Sequence, residues 1–427
     1  MDIYASLALA SAVVMFLIGT PLAVTFSLSS VIVLIYVMDF PLGNIAQLFF
    51  ISINGYTLLA MPFFILAGNI ILRCDGMRHL RDFMNGLLGG VHGGMAAALV
   101  IFAAFLGSIS GSATACLAVI GTVFVPMLVE SGYSRAYVSG LTVVNAGLGA
   151  VIPPSVFLII FGASNRVSIA DLFIGGIGPG LLAAFLMILY VLHSSKKRGF
   201  RSTITMRPEE KRRAFIRSLP IIFMPLIVLG GIYSGVFSPT QAASVAVFYS
   251  LFISVACYKG FKARHLLDAI VETTRLSSMI YLLCVGGELF GKVIGYIGVP
   301  QMITEWVVSF NFGPVTFLLV AQALLLGMGF FFSSFPMVII VLPLFMPSVH
   351  ALGIDPVLYG VLAIFCSIIG EVTPPMGPQL WVAGPICKEK ISNIMREAWA
   401  PLGVQIVSLL IVTLCPQICL FLVDLSR

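Results

Sequence analysis

The chain is a succession of apolar runs with short polar interruptions. Apolar segments fall near residues 5–20, 22–38, 57–72, 95–129, 136–164 and 172–193. Past a basic stretch they fall near 215–234, 239–258, 276–298, 315–349, 356–386 and 401–424. A helix crossing the ~30 Å hydrocarbon core needs about 20 apolar residues. Segment 95–129 is instead two shorter runs, Met95–Leu106 and Cys116–Val129, parted by the small polar stretch Gly107–Ala115. That pattern predicts a re-entrant hairpin, with two short helices meeting at a polar tip near mid-depth. Non-helical backbone is tolerated there only if protein or a wet cavity covers it.

A second interruption follows. Val138–Leu148 reads as helix, then Gly149–Ser155 carries the pair Pro153-Pro154. Two adjacent prolines remove two amide donors and clash with the preceding turn, so a broken helix is expected. Both interruptions recur 221 residues later. Ser112 maps to Ser333, Pro126 to Pro347, Gly132 to Gly353, Gly149 to Gly370, Pro153 to Pro374 and Pro154 to Pro375, with no gap. After one insertion, Ile169 maps to Ile391 and Pro179 to Pro401. Six special residues in one frame make an internal repeat. The stretches Gly43–Ile53, Met77–Leu88, Phe261–Thr274 and Glu389–Ala398 read as amphipathic helices at the membrane interface.

Composition supports a polytopic all-α membrane protein: 59% hydrophobic and 9% charged residues, against roughly 25% charged in soluble domains. The eight cysteines form no CxxC pair and read as packing residues. The N-terminal run reads as a first membrane helix, not a removed signal.

Lysine and arginine give the orientation. With the N-terminus outside, the loops 73–94, 130–135, 194–214, 259–275 and 387–400, together with Arg217, place 20 of the 23 basic residues in the cytoplasm. Only Arg166, Lys292 and Arg427 are left. The positive-inside rule therefore predicts both termini outside. It also accounts for the basic cluster Lys196–Arg217 as a topology signal, with no need of nucleic acid. Five crossings separate corresponding points of the repeats. Five is odd, so the second copy is inverted and the two hairpins enter from opposite sides. Inverted repeats with broken helices meeting at the midplane are the architecture of secondary transporters.

The tips and breaks are rich in oxygen ligands suited to a small cation such as sodium. A first site would combine Ser108, Ser110, Ser112, Asn145, Gly149 and Ser155. A second would combine Gly329, Ser333, Ser334, Gly370, Thr373 and Met376, with Gly329, Gly370 and Met376 acting through carbonyls. Gly107, Gly111 and Ala113 read better as close-packing positions. Ser110, Pro154, Ser334, Glu371 and Pro375 are the candidates nearest a substrate. Intramembrane charges are functional candidates by default. Glu371 sits in the second break, able to face substrate, ion or proton or to accept bonds from freed amides. Glu288 and Lys292, four apart, are expected to pair. Arg166 reads equally as an anion contact and as a solvated loop charge.

Enzymatic readings fail. There is no GxxxxGK[ST] stretch, the aspartates fall at segment ends, and no histidine lies at depth beside the tip serines. A channel has no need of two crossed hairpins.

The stretches Gly107–Ala115, Asn145–Ser155, Gly370–Gly377 and Met61–Gly68 together resemble the large membrane subunit of tripartite ATP-independent periplasmic (TRAP) transporters over nearly the whole chain, and overall the sequence looks similar to the sialic-acid (N-acetylneuraminate) branch, although no residue establishes the sugar. The resemblance implies a bacterial inner-membrane symporter with periplasmic termini and an elevator mechanism, importing a carboxylate-bearing solute with at least two sodium ions and no other cofactor. It implies a separate small four-helix membrane subunit, a periplasmic binding protein that delivers the organic anion, and surrounding lipid. Carried onto this chain, it gives scaffold helices and arm in 1–94, a transport domain from 95–195 and 315–427, a basic linker 196–214, and further scaffold in 215–314. The alternatives are a proton-coupled organic-anion carrier without a binding protein, and a C4-dicarboxylate as substrate.

Overall fold

The computed structural model describes residues 3–88, 91–110, 112–200, 207–258, 261–374 and 376–426. Among them the chain is all-helical, without strands. Its helices are α1 (Ile3–Leu17), α2 (Leu22–Tyr36), α3 (Leu42–Ile53), α4 (Ala60–Leu72), α5 (Gly76–Leu88), α6 (Gly94–Ser110), α7 (Ala113–Glu130), α8 (Arg135–Ala146), α9 (Val156–Asn165), α10 (Ile169–Lys197), α11 (Pro208–Tyr233), α12 (Pro239–Ala256), α13 (Ala263–Ile297), α14 (Val299–Ser309) and α15 (Pro314–Gly329). The short pieces α16 (Ser334–Pro336), α17 (Leu342–Leu344) and α18 (Met346–Ala351) follow, then α19 (Pro356–Glu371), α20 (Pro378–Cys387), α21 (Ile391–Leu414) and α22 (Gln417–Ser426). Six described helices, α7, α10, α11, α12, α13 and α21, are long and apolar enough to span a membrane; the segments Leu42–Ile53 and Tyr56–Leu72, bent by 49°, make a seventh together.

The first hairpin is α6 and α7, with arms of 17 and 18 residues where the hydropathy pattern suggested shorter ones. The tip serines and Ala-Thr-Ala continue the helices instead of interrupting them, so the turn is confined to a few residues. Ser112 starts α7 as its N-cap, accepting from the Ala115 amide at 3.2 Å. The second hairpin is less regular. Its return arm is α16, a π-helical turn over Met337–Val341, α17 and α18. Pro336, Pro343 and Pro347 each withhold an amide, which prevents one uninterrupted helix.

Two interfacial stretches merge with their neighbours. Phe261–Thr274 continues into the next apolar run as the 35-residue α13, because no glycine or proline intervenes before Gly286. Glu389–Ala398 likewise leads into α21, which passes through Pro401. The short α14, between α13 and the second hairpin, has no counterpart among the segments expected from hydropathy.

The centre of the fold is the pair of broken helices. Every residue of α8 from Tyr137 to Ala146 is buried, and every residue of α19 from Val357 to Glu371. A helix covered on all sides has the core to itself. Around them pack α6 and α7 on one side, α15 on another, and α10 and α21 across both. The helices α4, α12 and α13 pack on one another, with α2 on α13 and α5 on α11, and α4 also packs against α6 and α9. A smaller apolar cluster of Val33, Leu34, Ile45, Val285, Leu289 and Val293 ties α2 and α3 to α13.

Candidate functional site

Each hairpin meets a helix break through a pair of glycines. A Cβ on Gly149 would lie 2.3 Å from the Gly107 Cα, and one on Gly329 would lie 2.5 Å from the Gly370 Cα. Only residues without side chains permit such approach, so Gly107 is the packing position expected of it. Gly370, expected as a carbonyl ligand, and Gly149, expected in the first site, also perform this steric task. Gly107 and Gly329 are 222 positions apart, whereas Gly149 and Gly370 are 221 apart. The turn between glycine and tip serine is thus one residue shorter in the second hairpin.

The tips cross to the opposite breaks. Gln379, in the first turn of α20, donates from Nε2 to Thr114 Oγ1 at 3.2 Å and to Glu371 Oε2 at 3.4 Å. The other Glu371 oxygen, Oε1, accepts from the Ser334 amide. This polar chain joins the first tip, the second break and the second tip. On the other side the Phe335 ring stacks on Phe157, with centroids 4.5 Å apart. Thr114 and Phe335 are 221 positions apart and Phe157 and Gln379 are 222 apart, so the two crossings join corresponding positions.

At the first break, Ser108 is buried and donates to the Phe105 carbonyl at 2.7 Å. Asn145 donates to the Leu141 carbonyl at 2.8 Å, leaving its Oδ1 buried without a hydrogen-bond donor among the described residues. Ser155 donates to the Ala150 carbonyl and caps α9 through the Leu158 amide at 3.5 Å. The buried Pro154 follows Pro153 through a cis peptide bond.

At the second break, Ser334 is fully buried, and its Oγ has no partner among the described residues. Thr373 donates to the Ile369 carbonyl at 2.6 Å. Ser333 is half-buried and starts α16 without a side-chain cap bond. Met376 is 54% exposed. Pro375, Gly111 and the Ser110 side chain lie outside the described residues.

Asn145 Oδ1 at the first break, and Ser334 Oγ and Gln379 Oε1 at the second, are buried without a hydrogen-bond partner among the described residues, and neutral oxygens of this kind suit a cation. Among the described residues no group of three or more His, Cys, Asp or Glu side chains converges as it would for a transition metal.

Other expectations fare differently. Glu288 and Lys292 are both exposed and form no ion pair; the ion pairs among the described residues are Arg73–Glu272, Arg81–Asp82 and Arg198–Glu397. Both face outward from α13 and line a 500 Å³ cavity with Tyr296 and Pro343. Arg166 is exposed and ends α9 in the left-handed conformation. Gln379 and Thr114 were missed by sequence reasoning. Gln379 corresponds to an apolar Phe157, so repeat symmetry gave no hint; the one signal was an amide in an apolar run after a double proline.

Residues 9–418 match the family model described as "Tripartite ATP-independent periplasmic transporter, DctM component". The chain is 33% identical over 426 residues to the C4-dicarboxylate TRAP transporter large permease protein DctM of Vibrio cholerae, covering 95% of this chain and 94% of that one. It is 31% identical over 378 residues to the sialic acid TRAP transporter large permease protein SiaM of the same organism, covering 88% of each. Among solved structures, the YdaH transporter of Alcanivorax borkumensis shares the fold, with a TM-score of 0.64 at 16% identity over 87% of this chain and 86% of that one. These relatives are transporters and not enzymes, and the chain belongs to the DctM family of large permease components of tripartite ATP-independent periplasmic transporters.

Proposed function

We propose that the chain is the translocating subunit of a sodium-coupled importer for a small organic acid. It is read as a multi-pass inner-membrane protein with periplasmic termini, working with a small four-helix membrane subunit and a periplasmic binding protein. The observation that carries the reading is the double crossing of tips and breaks, Thr114 on Gln379 and Phe335 on Phe157. It supports two inverted repeats whose hairpins enclose one central site. On this reading 95–195 and 315–427 move as a transport domain against scaffold 1–94 and 215–314, in the manner of an elevator.

Sodium would be held by neutral oxygens at each break. The first site uses Ser108, Ser112, Asn145, Gly149 and Ser155. The second uses Ser333, Ser334, Gly370 and Thr373. A monovalent cation costs little to strip of water if carbonyl and hydroxyl dipoles replace its shell. The solute would lie between the tips, near Ser334 and Pro154, with Glu371 holding the second tip. Relatives are named for C4-dicarboxylates, isethionate, sialic acid and ectoine. That range supports a small organic acid as cargo and leaves N-acetylneuraminate as one candidate among them.

The second reading is a proton-coupled carrier, favoured by the burial of Glu371. Uptake into proteoliposomes decides. The chain is reconstituted with its small subunit, and labelled N-acetylneuraminate and C4-dicarboxylates are offered with and without binding protein and an inward sodium gradient. Uptake that needs both partner and gradient is expected. Uptake driven by a pH gradient alone would overturn the sodium reading.

A further inference from the structure

The basic residues at the start of α11 do more than mark a side of the membrane. Arg213 and Arg217 are one helical turn apart and face α5 across a cavity of about 470 Å³. Arg78 and His79 of α5 complete its basic lining. Among the described residues none of the three guanidinium groups forms an ion pair. The acids that share the cavity are Asp75, Asp82 and Glu210. Asp82 is engaged by Arg81 at 2.6 Å, and Glu210 accepts from the Arg207 amide at 2.9 Å. With Asp82 paired to Arg81, three arginines face two carboxylates, Asp75 and Glu210, which leaves a balance of one positive charge. The positive-inside rule accounts for arginines at this end of the helix. It does not require three of them, unpaired, around one cavity.

The cavity sits at the N-terminal end of α11, the end at which the positive-inside rule puts the membrane surface. It continues into a space lined by Ile216, Pro220 and Tyr258, and the next residues outward, Phe215 and Ile216, are 43% and 52% exposed. The two helices are held rigidly beneath it. Gly76 packs against Ile221 and Tyr258, the Tyr258 hydroxyl donates to the Arg217 carbonyl at 2.9 Å, and Phe83 meets Phe215. Guanidinium groups recognise phosphate through paired charge-assisted hydrogen bonds. The remaining carboxylates disfavour a polyanion and admit a single phosphate.

We infer that the cleft between α5 and α11 is a binding site for one phosphate ester, held by Arg78, Arg213 and Arg217, with a membrane phospholipid as its occupant. The lipid would pin the α5 arm to α11 at the membrane surface, its acyl chains running along Phe215 and Ile216. This site is separate from the hairpin tips and does not depend on the transported solute.

Native mass spectrometry of the full chain tests this. Wild type, the Arg213→Gln/Arg217→Gln double variant and Arg396→Gln, an exposed arginine outside this cavity, are each titrated with phosphatidylglycerol and phosphatidylethanolamine. The tightest lipid adduct is expected to weaken at least fivefold in the double variant and to stay unchanged in Arg396→Gln. Equal retention in all three would overturn the site. Competition with glycerol 3-phosphate and inorganic phosphate separates the sources: no displacement at millimolar concentration assigns the lipid, and full displacement reassigns the site to a soluble phosphate ester. If the double variant elutes as an aggregate, Arg78→Gln on the opposite wall carries the same expectation.

Discussion

Gly149 rests directly on the backbone of Gly107, so close that a methyl group there would sit 2.3 Å from the Gly107 Cα. Neither backbone can yield without moving a hairpin or a helix break. Overpacking of this kind costs about 1–3 kcal/mol even when side chains can adjust. Gly149→Ala and Gly329→Ala should therefore lower the melting temperature of the solubilised protein and abolish uptake. Gly327→Ala, whose new Cβ meets nothing within 4 Å, should melt like wild type.

The sodium sites predict a coupling defect more than a folding one. The Ser112 hydroxyl caps α7 and the Thr373 hydroxyl donates to Ile369. Loss of either bond costs about 1 kcal/mol, so Ser112→Ala and Thr373→Ala should fold. Both should need a higher sodium concentration for half-maximal uptake. An unchanged sodium dependence in both would remove these residues from the sites.

Glu371 separates structural from chemical roles. Its carboxylate accepts from the Ser334 amide and from Gln379. Glu371→Gln keeps an acceptor, whereas Glu371→Ala leaves the Ser334 amide buried and unsatisfied and takes one of two acceptors from Gln379, at about 1–3 kcal/mol. Thermal melts should rank alanine well below glutamine. In proteoliposomes Glu371→Gln should retain sodium-driven uptake; loss that no sodium gradient restores would favour proton coupling.

At the C-terminal end of α10, Arg198 joins Glu397 of α21 at 2.8 Å, and its guanidinium lies 4.5 Å from the centroid of the Tyr137 ring of α8. Hydrogen bonding to Glu397 raises the arginine pKa further above its ordinary value. The pair is 38% and 22% exposed, which limits its worth to about 0.2–1 kcal/mol. Stacking adds about 0.5–1 kcal/mol. Glu397→Gln should cost less than Arg198→Ala, and a double-mutant cycle should show a coupling that shrinks in high salt.

His79 predicts a pH dependence. Burial, then the nearby Arg217, hold its imidazole below the ordinary histidine value of about 6.5. The unfolded chain thus binds a proton that the folded one refuses. Stability should be full above about pH 6.5 and fall as acid approaches the lower folded pKa. In lipid-free detergent, His79→Gln should flatten that acid limb without changing the melt at pH 8.

The breaks were legible because glycine and proline write directly onto the backbone. Gly149, Pro153, Gly370 and Pro374 fix where α8 and α19 end. Lengths were less legible, since small residues such as Ser108 and Ala115 are compatible with both helix and tip. Pro401 suggested a boundary that α21 simply passes through. The cross-tip bonds were hidden altogether. Gln379 meets Thr114 across 265 positions, and no local pattern records which side chain will be brought opposite it.

That glutamine has a mechanical consequence. One amide nitrogen serves two masters, the Thr114 hydroxyl on one element and the Glu371 carboxylate on another. A planar amide cannot follow two anchors that part company. Thr114 is exposed and regains water when the first tip withdraws, whereas the buried Gln379 amide loses one of its two acceptors, and an unmet donor in a low-dielectric site is costly. The first tip is therefore latched to the second break from the buried side only.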